Sequence, residues 1–378
     1  MAPRRASGEG SITRRRNGKY QGALRLPDGR RKYVYGDSRE EIRRKLHGLI
    51  HAREMGTLAD ARGLSVGEFL DQWLQEVVRP NVRPWTYAGY EVHVRLHLKP
   101  ALGKLPLDRL TPMHVQEFIN RKSSEGLRPK SIRYIRGTLR SALNHALRWG
   151  LISRNVAALA TSPRVEQYEI KPLTPAEART FLQSLKGDRL EALYSVALTM
   201  GLRQGEALGL RWRDVDLELG YLRVSKQLQR IDRRLQLVEP KTARSRRTIA
   251  MPPSVVAALR DHRDRQDADR KAAGKRWSES DFVFTGPEGA PLDGSAISKQ
   301  FHRLLERAGL EQRRFHDLRH SCATLLLAQG VSPRVVMDVL GHSQIGLTMN
   351  TYAHVIPELR REAADRMEFV IHGREMDR

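Results

Sequence analysis

The sequence predicts a multidomain protein, mainly α with small β elements. Three observations carry this. A Ser or Thr followed three residues later by Glu, the signature of a capped helix start, opens three separate stretches, at Ser38, Ser65 and Thr174. Apolar residues behind these starts recur at helical spacing. Runs with strand character are confined to residues 11–35 and 221–252. A chain of 378 residues is long enough for two or three domains, each with its own core.

Residues 1–62 read as a small three-stranded sheet plus a helix. Strand-like runs at 20–26 and 31–35 flank Pro27-Asp28-Gly29, a turn signal. The helix after Ser38 aligns Ile42, Leu46, Leu49 and Ile50 on one stripe. Arg14, Arg15 and Arg16 precede the sheet and read either as a solvated tail or as a DNA-contacting strand.

Residues 63–160 form an all-helical unit. Pro80, Pro84, Pro100, Pro106, Pro112 and Pro129 are expected to cut it into four or five helices. The helix from Lys130 puts Ile132, Ile135, Leu139, Leu143 and Ala146 on one face and Arg133, Arg136 and Arg140 on another. Such a basic stripe is usually a solvated face; in a chain this basic it favours phosphate contact. Residues 161–172 are polar and bracketed by proline, as a linker would be. Residues 173–378 form a third, mostly helical unit, opened by Thr174 as N-cap, Pro175 and Glu177.

Charge narrows the partner. The chain holds 67 Lys+Arg against 43 Asp+Glu, a net +24. The excess is spread: +9 over residues 1–62, +8 over 63–160 and +7 over 161–378. A neutral enzyme with a basic tail would concentrate it, so every segment is attracted to a polyanion, and nucleic acid is the favoured partner. The lone Cys322 excludes an intramolecular disulfide and fits a reducing compartment. The N-terminal residues lack the apolar core of a signal peptide, and no run nears the roughly 20 apolar residues of a membrane span. The expectation is a soluble, cytoplasmic protein with no membrane partner.

The chemistry-bearing residues come late. Arg203 lies in Gly-Leu-Arg-Gln-Gly-Glu, where one apolar helix ends and another begins. Helix N-termini suit phosphate, and a guanidinium there can grip two phosphate oxygens. Taken alone, Arg203 reads as a structural arginine paired with Glu206. Lys241, in Pro-Lys-Thr between two strand-like runs, sits on an expected hairpin tip, where a lysine is decoration or a mobile proton donor. His316-Asp-Leu-Arg319-His320 starts a helix, with His316 and Arg319 on one face. His320 and His316 are spaced for a metal, but no glutamate follows His316 and no third ligand is evident, so no metal is expected. Cys322 falls on the core side, as a small buried residue. His342 follows Leu340-Gly341, and Tyr352 comes ten residues later.

Singly these residues are unremarked; their order and spacing are not. Together they make the chain resemble the tyrosine site-specific recombinases, the phage integrase family, over residues 173–370, with none of the six central positions missing. Residues 65–160 resemble the family's core-binding domain, and 11–60 the arm-binding domain of phage-lambda-type integrases. The resemblance implies that Arg203, Arg319 and His342 contact the non-bridging phosphate oxygens, that Tyr352 is the nucleophile, that His316 accepts its proton and that Lys241 protonates the leaving 5′ oxygen. Glu206 would orient Arg203. The reaction would need no cofactor, metal or ATP. It also implies double-stranded attachment sites as substrate, a homotetramer on DNA docked through an amphipathic segment after Pro357, and in some systems a DNA-bending host factor and an excisionase. Three other readings stand beside this one: a type IB topoisomerase, a non-catalytic DNA-binding regulator on the same scaffold, and a metal-dependent transposase, for which no carboxylate triad is evident.

Overall fold

The computed structural model describes residues 10–15, 18–25, 31–54, 63–166, 168–231, 234–240 and 245–341, with isolated positions at Ala364, Met367, Glu368, Val370 and Ile371. Arg16, Lys241, His342 and Tyr352 lie outside the described residues. The chain divides into two units, Met1–Gln167 and Tyr168–Arg378.

The first unit opens with an antiparallel sheet of three strands, Ser11–Arg14, Tyr20–Arg25 and Arg31–Gly36, with the middle one central. Leu24 is wholly buried against Ile42 and Leu46 of the helix Arg39–Glu54, the stripe predicted from spacing. Arg14 does not precede the sheet. It ends the first strand, in register with Tyr20, because a short polar run with only Ile12 to bury carries little strand signal of its own.

The helical part that follows departs from proline punctuation at two places. Val66–Gln72, Trp73–Val78 and Arg79–Asn81 form one helical path through Pro80, and Pro84–His93, Val94–Leu98 and Lys99–Leu102 another through Pro100. Each proline follows a stretch of π-helix, whose wider turn accommodates the missing N–H and the ring. Pro84, Pro112 and Pro129 instead occupy first-turn positions, where proline fits without loss. The helix Pro129–Arg148 buries Ile132, Ile135, Leu139, Leu143 and Ala146 as its periodicity predicts.

In the second unit an aromatic cluster sits within a largely aliphatic core. Phe181, Tyr194, Phe301 and Phe315 meet with ring centroids 5.5–5.8 Å apart. They come from the helices Pro175–Ser184, Glu191–Thr199, Gly294–Arg307 and Phe315–Ala328. The cluster fixes the start of the last of these, which carries His316 and Arg319.

The β-region holds two sheets. Tyr221–Val224 pairs on one side with Val215–Asp216 and on the other with Arg247–Ala250; Gln227–Ile231 pairs with Arg234–Val238. The strands before and after Lys241 therefore have different partners, and the segment between them connects two sheets. Those two strands do not pair with each other as the two sides of a hairpin would. Local sequence gives strand character, but the choice of partner depends on which face meets the core. Among the described residues no helix is long and apolar enough to cross a membrane.

Gly201 is the turn on which the site depends. Its φ is +62°, a region that costs a residue with a Cβ about 1–2 kcal/mol, and a Cβ there would run into Leu340 and press on the Cys322 sulfur. Gly201→Ala is expected to lower unfolding stability by roughly 1–3 kcal/mol, read by urea denaturation, while the control Gly137→Ala, in open space on a helix, is neutral or stabilising.

Candidate active site

Arg203 reaches its place by a short, constrained path. The helix Glu191–Thr199 ends, Gly201 turns the chain, and Arg203 stands in extended conformation ahead of the helix Gln204–Leu208. The Arg203 Nη1 donates to Glu206 Oε1 at 2.6 Å, and its own backbone amide donates to Glu206 Oε2 at 3.1 Å. Glu206 thus occupies the helix start that the sequence suggested for a phosphate. What stays available is the guanidinium itself, whose side chain is 35% exposed while that of Glu206 is 1% exposed.

Glu206 has a second cation. Arg247 Nη2 donates to Oε2 at 3.0 Å. Burial pushes the Glu206 carboxyl up, but the Arg247 charge and hydrogen bond, with the Arg203 and Arg319 charges, outweigh it and hold the group below its ordinary value of 4.5. A buried carboxylate keeps its charge only when paired in this way.

Arg319 lies on the helix Phe315–Ala328 and is 1% exposed. Its Nη1 donates to the Gly201 carbonyl at 2.8 Å, which fixes it beside the turn leading into Arg203. His316, one turn earlier, is open to water. Its ring meets His320 edge-on with centroids 5.0 Å apart. Partial loss of hydration comes first, then the positive groups His320, Arg319 and Arg203; together they hold the imidazole below its ordinary 6.5, so that it is neutral at pH 7. The exposed ring edge limits the depth of this effect but not its direction.

The same helix is pinned from outside. The Tyr168 hydroxyl donates to Asp317 Oδ2 at 2.7 Å, the Arg314 amide caps the same oxygen at 2.8 Å, and the Leu173 amide donates to Ser321 Oγ at 2.7 Å. Residues from Tyr168 onward, which the sequence reads as linker, accordingly belong to the second unit. Cys322 is buried, its thiol pushed up to about 12 by dehydration, and donates to the Thr199 carbonyl; it is packing and not a nucleophile. Among the described residues no three His, Cys, Asp or Glu side chains gather as a metal site.

The structure brings Arg203, Glu206, His316 and Arg319 together. The other candidates divide. Arg14 and Arg15 stack over the Tyr20 and Tyr35 rings at 5.8 and 5.3 Å. Arg133 and Arg140 are exposed. Arg136 is not a free phosphate ligand: its Nε, Nη1 and Nη2 donate to the Ala157 carbonyl, Ser162 Oγ and the Ala158 carbonyl. It closes off the short helix Val156–Leu159. Helical spacing puts it beside Arg133 and Arg140, but its partners lie about twenty residues away and leave no local trace. Sequence reasoning also missed Arg247. Its neighbour Arg246 is an exposed partner of Glu239, and nothing local separates the two.

Comparison with known proteins identifies the family and the fold. Residues 171–358 match the phage integrase family, and 65–123 match the family's N-terminal SAM-like domain. A tyrosine recombinase XerC-like protein of Caldanaerobacter subterraneus is 32% identical over 356 residues, covering 89% of this chain and 91% of its own length. An integrase of Saccharopolyspora erythraea is 27% identical, with 98% of both chains covered. Among solved structures, the Tn1549 transposon integrase in complex with circular intermediate DNA superposes with a TM-score of 0.67 at 25% identity, over 81% of this chain and all of that one. Lambda integrase, solved as a dimer on a core site, shares the fold at 19% identity and a TM-score of 0.55, over 93% of this chain and 96% of its own.

Glu206→Gln removes the shared counter-charge and leaves Arg203 and Arg247 facing one another. The variant is expected to lose roughly 3 kcal/mol of unfolding stability at pH 7. Because the folded carboxyl titrates below 4.5, the wild-type advantage is complete above that pH and is lost as pH falls through the lower, folded value. Urea unfolding of both proteins from pH 7 to pH 3.5 reads a gap that narrows only on the acid side.

Proposed function

This chain belongs to the phage integrase family and is a site-specific tyrosine recombinase, an integrase of a phage or integrative element, in which we propose that Arg203, Arg319 and His342 hold the scissile phosphate while Tyr352 attacks it. The observation that carries the proposal is the convergence of Arg203, Glu206, His316 and Arg319 from segments more than a hundred residues apart.

A phosphodiester resists attack because its anionic oxygens repel nucleophiles and the transition state gathers further charge. Fixed guanidiniums at those oxygens do the work a metal does elsewhere, each donor contributing on the order of 3 kcal/mol. Tyr352 attacks phosphorus. Its phenol proton passes to His316, which is neutral at pH 7 and so has a lone pair to accept it. The bond to the 5′ oxygen breaks and Lys241 protonates that oxygen. The products are a 3′-phosphotyrosine and a free 5′-hydroxyl. Bond energy is kept in the phosphotyrosine, so a 5′-hydroxyl from another duplex reseals it without ATP.

Residues 1–62 act as the arm-type DNA-binding domain, with Arg14, Arg15 and Arg16 toward DNA, and 63–160 as the core-binding domain, with Arg133 and Arg140 toward phosphates. Binding of many phosphates at once makes affinity fall steeply with salt. Double-stranded attachment sites are the substrate, and a homotetramer is the working assembly. Met367, Val370 and Ile371 near the C-terminus are 59%, 75% and 63% exposed, which suits a segment that docks on a neighbouring protomer.

Tyr352→Phe is expected to bind a core-site duplex normally and to form no SDS-resistant protein–DNA species on a nicked suicide substrate; any adduct from this variant moves the nucleophile elsewhere. Lys241→Ala is expected to slow cleavage by about 10²–10⁴-fold. A substrate with sulfur at the 5′-bridging position, a better leaving group, restores most of that rate, and absence of restoration removes Lys241 from the acid role.

A further inference from the structure

Arg247 begins the strand Arg247–Ala250, and its side chain is 6% exposed. Each arm of its guanidinium has a different acceptor. Nη2 donates to Glu206 Oε2 at 3.0 Å, Nε to the Val339 carbonyl at 2.6 Å, and Nη1 to the Ser245 carbonyl at 3.1 Å. Glu206 is the carboxylate that holds Arg203. Val339 sits in the last turn of the helix Pro333–Leu340, three residues before His342 in the chain. All three nitrogens of this guanidinium already have protein acceptors, so its task lies inside the protein. Its charge is paired with Glu206, and two further N–H groups donate to the Val339 and Ser245 carbonyls.

We propose that Arg247 is a positioning residue for strand cleavage: by gripping Glu206 and the Val339 carbonyl at once, it sets Arg203 in register with the end of the helix Pro333–Leu340, which His342 follows in the chain. This rests on the reading of Arg203 and His342 as phosphate-holding groups. The planar fork of arginine is what the task requires. A lysine keeps a charge beside Glu206 but has one nitrogen, which cannot serve three diverging acceptors. Displacement of a phosphate ligand by about 1 Å costs up to about 10²-fold in rate.

The test compares the full chain with Arg247→Lys, Arg203→Ala, His342→Ala and the two doubles that add Arg247→Lys to each alanine variant. Three quantities are read on a nicked duplex bearing the core attachment site: thermal midpoint, DNA affinity and single-turnover cleavage. Arg247→Lys is expected to keep its midpoint within a few degrees and its affinity within about twofold, and to cleave about 10–100-fold more slowly. In both alanine backgrounds the same change costs much less, because the group being positioned is gone. Wild-type cleavage by Arg247→Lys, or an undiminished penalty in both doubles, overturns the proposal. Should Arg247→Lys melt below the assay temperature, Arg247→Gln is measured at a temperature where it is folded; cleavage lost only in step with the midpoint in both variants makes Arg247 a stabilising residue and also overturns it. Wild-type cleavage by Arg203→Ala instead defeats the reading of the site itself, while an impaired Arg203→Ala beside a normal Arg247→Lys defeats only the positioning role.

Discussion

A buried carboxylate between guanidiniums organises the second unit. Glu206 accepts from the side chain and amide of Arg203 and from Arg247. Neither partner is optional, because an ionised carboxylate without counter-charge is costly away from water. The geometry that satisfies Glu206 also presents the Arg203 guanidinium at the surface with its direction fixed. The helix Gln204–Leu208, the start of the strand Arg247–Ala250 and the end of the helix Pro333–Leu340 are thereby tied to one point.

The second fixed part is the helix Phe315–Ala328. Aromatic packing holds Phe315, Tyr168 and Arg314 hold Asp317, and Gly201 holds Arg319. His316 is left on the open side of an otherwise anchored first turn, where partial loss of hydration and then the neighbouring positive charges hold its ring below the ordinary imidazole value. Rigid placement of this kind is what a preorganised electrostatic site needs, since donors that must reorient during the reaction forfeit part of their effect.

Much of the fold was legible because it rests on local rules. The capping boxes at Ser65 and Thr174 are present, and the apolar stripes of Arg39–Glu54 and Pro129–Arg148 are buried as their period predicts. The misreadings share one cause. Pro80 and Pro100 were expected to break helices, the strands on either side of residue 241 to pair as a hairpin, and Arg136 to face phosphate. Each outcome was set by a partner distant in sequence or by a backbone adjustment that no residue type announces. Arg246 and Arg247 make the point in two adjacent positions, one solvated and one enclosed, because only the second meets Glu206 and the Val339 carbonyl, partners far away in the sequence.

The sequence by itself determined the family, the basic character of every segment and the identities of the candidate reacting groups, since these depend on residue type and order along the chain. Only the tertiary structure decided which cations surround Glu206, that Arg319 is anchored to the Gly201 carbonyl, and that His316 is neutral. Those are properties of distance and dehydration between segments that meet only when the chain has folded.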